Sequence, residues 1–368
     1  MLRQVIPVLL VLFVPAIAAS QDTTLHRMDI SLNYHLGFLI AHRPLVEVLQ
    51  KDHVRAVEAS LSIRSDGSRQ WHHTYGFPET GLSLSWWDLG NPDKAGSVIA
   101  AIPYIDFPLA TSRTTDLNFK FGWGLCYVTQ VFDPDENYKN VTIGSHLNST
   151  VLAQLQVKTR ISKRLHTHAG LSFLHFSNGS MVMPNLGMNL ANVTLGAGYR
   201  FGPLRALPAR NAPAFHTNRR MTLFAGAGVK QIYPAGGNNY FISSLFADHN
   251  WHLTPKSAFG IGADLFYNSS VKKQMEEMGQ VPVSDSDLFS GGIHGGYEMI
   301  ISDLSILIHM GVYLFKGMED DENIYHRLGV RYRFSEHFFA GLHLKTHWGK
   351  ADYFETGLGY FIQKQKKK

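Results

Sequence analysis

Apolar and polar residues alternate at every second position through most of this chain, and that pattern commits it to long β-strands. From Ile324 the even positions are Ile324, His326, Leu328, Val330, Tyr332 and Phe334. The odd positions are Tyr325, Arg327, Gly329, Arg331 and Arg333. Successive side chains of a strand point to opposite faces, so one face is nearly all apolar while the other carries three arginines. The stretch from Leu304 repeats the pattern, with Leu304, Ile306, Ile308, Met310, Val312 and Leu314 opposite Ser305, His309 and Gly311. Runs of about ten residues match a tilted strand that crosses a bilayer.

Connection lengths give a second signal. Tight turns are predicted at Ser112-Arg113, Ser162-Lys163, Thr254-Pro255-Lys256, Ser302-Asp303 and Ser335-Glu336. Longer polar loops fall between them at Phe132 to Ser145, Ser177 to Leu190, Asn268 to Asp285 and Lys316 to Asn323. Short and long connections alternate when one barrel end faces the periplasm and the other the exterior. The stretch Gly202 to Asn218, rich in proline and alanine, breaks the alternation by being long where a short turn is due. The expected fold class is all-β: a transmembrane antiparallel outer-membrane β-barrel of roughly 12–16 strands, with the region before Gly81 least defined. Trp86-Trp87 and the aromatics near strand ends read as interfacial girdles.

The chain start agrees with export. Arg3, the apolar run Val5 to Val14 and the small-residue site Ala16-Ile17-Ala18 form a signal peptide over residues 1–18, interrupted by Pro15 and too short to span as a helix. The expected mature chain is a single barrel domain over residues 19–363, followed by a basic tail at 364–368. The only cysteine, Cys126, excludes an intrachain disulfide and a cysteine-based metal cluster. The net charge of +5 is mild and owes much to the tail, so no nucleic-acid partner is expected. His166 and His168 share a strand face, but no third ligand follows, so no metal site and no cofactor are expected.

One segment carries candidate chemistry. His175 and Ser177 lie two residues apart at the end of a predicted strand, on one face, which sets an imidazole beside a hydroxyl as a general base and a serine nucleophile require. Their phase is that of the apolar positions Leu165, Leu171 and Phe173, so the pair belongs to the lipid-facing wall next to a long exterior loop. A polar pair there is costly and points to function. Asn189, at the start of the next strand, shares the same phase and is placed to accept from the other imidazole nitrogen, the part of a third triad member. No carboxylate occurs between Glu136 and Asp248 to take that part.

The run His175-x-Ser177-Asn178, followed by Pro184-Asn185-x-Gly187, resembles the PagL-type lipid A 3-O-deacylases, also called acyloxyacyl hydrolases. The resemblance implies Ser177 as nucleophile, His175 as base and Asn185 as a stabiliser of the oxyanion; amides around Asn178 and Gly179 are further candidate oxyanion donors. It implies a lipid A or lipopolysaccharide substrate and an outer-membrane location. That family uses a Ser-His-Glu triad on a small eight-stranded barrel, and its glutamate falls on Asn189 here, a departure. The departure resembles outer-membrane phospholipase A, whose pattern His-x-Ser-Asn-Gly and Ser-His-Asn triad match His175, Ser177, Asn178, Gly179 and Asn189. Calcium binding of that family's kind is not expected, since Ser180 to Met188 holds no acidic residue. The expected function is therefore a serine esterase deacylating lipid A. A glycerophospholipid hydrolase is the alternative, and a non-catalytic porin-like barrel the second alternative.

Overall fold

A computed structural model describes residues 25–202, 208–211, 215, 217–280, 283–318 and 322–363. The expected signal peptide and basic tail lie outside the described residues. Among the described residues there are sixteen antiparallel strands. The first eight are β1 (Met28–Leu39), β2 (Val54–Arg64), β3 (Glu79–Asp88), β4 (Ser97–Thr111), β5 (Thr115–Val128), β6 (Leu147–Arg160), β7 (Leu165–Ser177) and β8 (Met188–Arg200). The other eight are β9 (Asn218–Gln231), β10 (Asn239–Thr254), β11 (Ser257–Asn268), β12 (Phe289–Ile301), β13 (Leu304–Lys316), β14 (Ile324–Arg333), β15 (Phe338–His347) and β16 (Lys350–Gln363). The strand count agrees with expectation. The single barrel does not: β1–β8 close as one barrel and β9–β16 as another.

Closure explains the difference. β8 pairs with β1 from Asp29↔Arg200 to Leu39↔Leu190, and β16 pairs with β9 from Thr356↔Ala227 to Gln363↔Arg220. The long connection after β8, which broke the alternation of loop lengths, falls where the first barrel has closed and the second begins. The chain divides into two compact units built on the two barrels, with the segment Gly179–Asn185 grouping with the second.

The predicted tight turns all join consecutive strands. Among the described residues the loops hold three short α-helices, α1 (Pro44–Glu47), α2 (Gln70–Thr74) and α3 (Ser270–Glu277), and one 3-10 turn at Asp285–Leu288. Pro44 starts α1, where its missing N–H costs no helical hydrogen bond. The connection carrying α2 is long although it leaves β2 at the end of the barrel that otherwise has tight turns.

Strand phase sorts the side chains of each barrel. On β7, Leu165, Leu171 and Phe173 are exposed, whereas His166, His168, Ser172, Leu174 and Phe176 are buried. An eight-stranded barrel is just wide enough for side chains to fill it. In the first barrel Glu58 accepts from Lys120 Nζ at 2.9 Å and Asn33 Nδ2 at 3.0 Å, and Lys158 joins Glu79 and Asp106. In the second, Arg327 bonds Glu355 at 2.8 Å and also Asp264, while Arg331 reaches Asp248 at 3.2 Å. These pairs satisfy charges that would otherwise cost several kcal/mol each to bury. Trp86 is exposed in keeping with a girdle, but Trp87 is fully buried and donates from Nε1 to Ser85 Oγ at 2.8 Å. Neighbours on a strand face opposite ways, so only one of the two tryptophans can meet lipid.

Towards the end of the first barrel that bears the long loops, the filling turns apolar. Leu39, Trp87, Val98, Leu152, Leu174, Phe176, Met188 and Leu190 are buried there with Val46 and Leu49 of the loop after β1. This plug fixes the phase of the strand ends. With Leu174, Phe176, Met188 and Leu190 turned inward, residues 175, 177 and 189 take the outward phase.

Candidate active site

β7 and β8 pair so that His175 stands directly opposite Asn189. The imidazole Nδ1 and the side-chain oxygen Oδ1 of Asn189 are 2.7 Å apart. An amide oxygen only accepts, so Nδ1 carries the proton and donates, leaving Nε2 with a lone pair. That is the tautomer a general base needs. Two residues along the same strand, Ser177 follows in the same phase. His175 is half-buried, and Ser177 is only 5% exposed although its phase is outward. The candidate nucleophile is thus covered, not laid bare on the wall.

The backbone around the pair is shaped by residues of positive φ. Gly179 and Ser180 have φ of 63° and 64° and end β7 in a left-handed turn. Gly187 has φ of 76°, and a Cβ there would stand 2.8 Å from His175 Cε1 and 3.2 Å from the Phe176 carbonyl oxygen. Glycine at 187 therefore serves both the conformation and the close approach to the imidazole. The Gly187 N–H donates to Thr142 O at 2.9 Å, tying the chain before β8 to the loop between β5 and β6.

Asn178 is buried, and its Nδ2 donates to Ser145 Oγ at 2.8 Å; Ser145 in turn donates to Asn148 Oδ1 at 3.0 Å. Asn185 is half-buried in the β7–β8 loop. Of the six residues expected from sequence, the structure pairs His175 with Asn189 directly, and Ser177 and Asn178 follow on the same strand end. Gly179 and Asn185 fall in the segment that groups with the second unit. On the adjoining wall, Trp123 donates from Nε1 to Ser149 Oγ at 2.6 Å, and Ser149 stands opposite Ser177.

Sequence reasoning missed one polar neighbour. His42, in the loop after β1, lies with Nδ1 3.1 Å from Asn189 Nδ2 and Nε2 3.1 Å from Leu186 O. A histidine in a loop has no phase, so no periodicity could have placed it.

Metal-compatible geometry occurs elsewhere. Asp248, His294 and His309, in the lumen of the second barrel, hold their ligand atoms within 4.8 Å of one another. Asp248 already accepts from His294 at 2.9 Å and from Arg331 at 3.2 Å, and a guanidinium beside a cation site opposes it. The donor set belongs to the ion-pair filling. In the first barrel His166 and His168 stack with centroids 5.8 Å apart, and His168 Nε2 bonds Asn33.

Both halves of the chain resemble known families. Residues 55–198 match the family described as lipid A 3-O-deacylase (PagL), and residues 219–364 match the one described as acyloxyacyl hydrolase, C-terminal domain. No curated protein is similar enough to match. Among solved structures, the outer membrane enzyme PagL shares 14% identity, aligning 45% of this chain with 97% of its own at a TM-score of 0.32. Neisserial surface protein A shares 6%, aligning 47% of this chain with 96% of its own at a TM-score of 0.33. A Rh. blastica porin mutant shares 9%, aligning 91% of this chain with 99% of its own at a TM-score of 0.20.

Proposed function

We propose a mechanism for a chain that belongs to the PagL-type lipid A 3-O-deacylase family, an outer-membrane ester hydrolase of lipid A. Ser177 is the nucleophile, His175 the base and Asn189 the third member, and the bond cleaved is that of an ester-linked 3-hydroxyacyl chain. His175 Nε2 takes the Ser177 proton as Oγ attacks the ester carbonyl. Main-chain amides of Asn178 and Gly179, with Asn185, supply donors to the oxyanion. The tetrahedral intermediate collapses as His175 returns the proton to the departing sugar oxygen, leaving an acyl-serine. Water, deprotonated by the same imidazole, then releases the fatty acid.

The observation that carries this reading is the 2.7 Å bond from His175 Nδ1 to Asn189 Oδ1, in register across two strands and on the outward phase. It holds the base in its working tautomer and stabilises the imidazolium that forms. The outward phase matches a substrate whose acyl chains lie in the bilayer while its ester meets the serine.

An asparagine as third member also favours hydrolysis of glycerophospholipids by the same residues. Buried ion pairs inside each barrel, such as Lys120–Glu58 and Arg327–Glu355, argue against a non-catalytic channel. The test compares lipid A mass spectra from cells expressing the wild type and Ser177→Ala. Loss of one hydroxyacyl chain with the wild type alone supports lipid A deacylation. Unchanged lipid A with Ser177-dependent lysophospholipid release selects the phospholipase reading, and neither change sinks both.

A further inference from the structure

We infer that His42 is a positioning residue of the site: it orients the Asn189 amide so that its oxygen, and not its nitrogen, faces His175. The inference rests on the triad reading above. It follows from the polarity of four groups in a row, each of which limits the next.

The row starts at a group with no freedom. The Leu186 carbonyl oxygen accepts only, so His42 Nε2, 3.1 Å away, must be the donor. On a neutral ring the other nitrogen then carries a lone pair. His42 Nδ1 therefore accepts, and the group 3.1 Å from it must be the amide nitrogen of Asn189. The two ends of a carboxamide are nearly the same shape and opposite in polarity, so its orientation is decided by its partners. With Nδ2 committed to His42, Oδ1 is left facing His175 Nδ1 at 2.7 Å. The proton on His175 then sits at Nδ1, and Nε2 is free to take the serine proton.

Reversing the amide reverses the chemistry. Were Nδ2 turned to His175, the imidazole Nδ1 would accept, its proton would move to Nε2, and no base would face Ser177. That arrangement demands a proton on His42 Nδ1 as well as Nε2, and the other oxygen near Nδ1, that of Ile40, is 3.4 Å away, at the limit of a hydrogen bond. The neutral ring avoids this.

His42 is also held in place. The Ile40 N–H donates to the Asn189 carbonyl at 2.8 Å, which extends the β1–β8 pairing by one rung beyond Leu39. Val46 and Leu49 of the same loop are buried in the apolar plug. The loop is thus anchored on both sides of an exposed histidine whose two ring nitrogens both find partners.

A double-mutant cycle tests the inference, with kcat and KM measured on purified protein in lipid A–detergent micelles. His42→Ala lowers kcat about five- to tenfold at unchanged KM, the range for losing one neutral hydrogen bond. His42→Gln, which keeps an acceptor and a donor, recovers to within about twofold of wild type. In the Asn189→Asp background either carboxylate oxygen accepts from His175 whichever way the group is turned, so His42→Ala then costs less than about twofold. Equal losses in both backgrounds, no loss in either, or a Gln variant as impaired as Ala overturns the inference. A wild-type rate that survives Ser177→Ala overturns the triad reading instead.

Discussion

Replacing Asn189 by alanine removes the acceptor for His175 Nδ1 and leaves the strand pairing in place. In the ground state the lost contact is a 2.7 Å hydrogen bond on a neutral ring. In the transition state that ring has taken the serine proton, so the same bond reaches a cation. Hydrogen bonds to charged groups contribute roughly 1.5–3 kcal/mol, against about 1 kcal/mol for neutral ones. Only the part that is stronger in the transition state slows the chemical step. If water does not substitute, that difference of about 0.5–2 kcal/mol lowers kcat by roughly 2- to 30-fold, at about 1.4 kcal/mol per factor of ten. KM is unchanged, because Asn189 bonds the base and not the substrate.

The assay is a time course of hydroxy fatty acid release from lipid A, read by mass spectrometry over a range of substrate concentrations. Retained folding is checked by the gel mobility of unheated against heated samples. Asn189→Asp provides the opposite sign, because a charged acceptor makes a stronger bond to the imidazolium; kcat at or above wild type is expected. A folded Asn189→Ala variant with kcat within twofold of wild type refutes the reasoning, since it leaves the 2.7 Å bond without catalytic consequence.

Two other substitutions separate site from scaffold. Gly187→Ala places a Cβ 2.8 Å from His175 Cε1 on a residue with φ of 76°, so stability falls by about 1–2 kcal/mol and kcat drops as the imidazole shifts; a denaturant titration and the lipid A assay read the two effects, and an unchanged kcat contradicts the prediction. Arg327→Met strips the counter-charge from Asp264 and Glu355 in the second lumen, and unfolding in detergent with urea registers a loss of about 3–5 kcal/mol; a stability within 1 kcal/mol of wild type contradicts it.

Much of this was legible in the sequence because strand phase is a local property. The alternation in Leu165 to Ser177 states which residues face outward, and with that of the next strand it puts His175, Ser177 and Asn189 on one wall. Closure is not local. Every hairpin in the chain is the same kind of neighbour pairing, whether sixteen strands form one barrel or two. The difference lies only in which strands seal the sheet, as in Asp29↔Arg200, residues far apart in sequence. The proline- and alanine-rich stretch after β8 was the one local sign of it. Burial of Ser177 and Trp87 escaped for related reasons: the first depends on what covers a strand end, the second on assigning an aromatic pair to one face. His42 sits in a loop 147 positions from Asn189, where only the closing pair β1–β8 brings the two together.

The asparagine itself explains why such a distant histidine is needed. A carboxylate as third member presents two equivalent acceptors, so it serves the imidazole however it is turned, but it carries a charge. On an outward-facing wall beside lipid, that charge pays a desolvation cost that a neutral carboxamide avoids. The carboxamide brings a different liability, since one end accepts and the other donates, and only the accepting end keeps His175 in its working tautomer. A neutral triad therefore requires a second contact that distinguishes the two ends of the amide. In this chain His42 makes that contact, and its own polarity is set by the Leu186 carbonyl, a backbone oxygen that cannot change roles. The direction of the whole row is fixed at its outermost member, which is why a substitution in an exposed loop is expected to act on kcat.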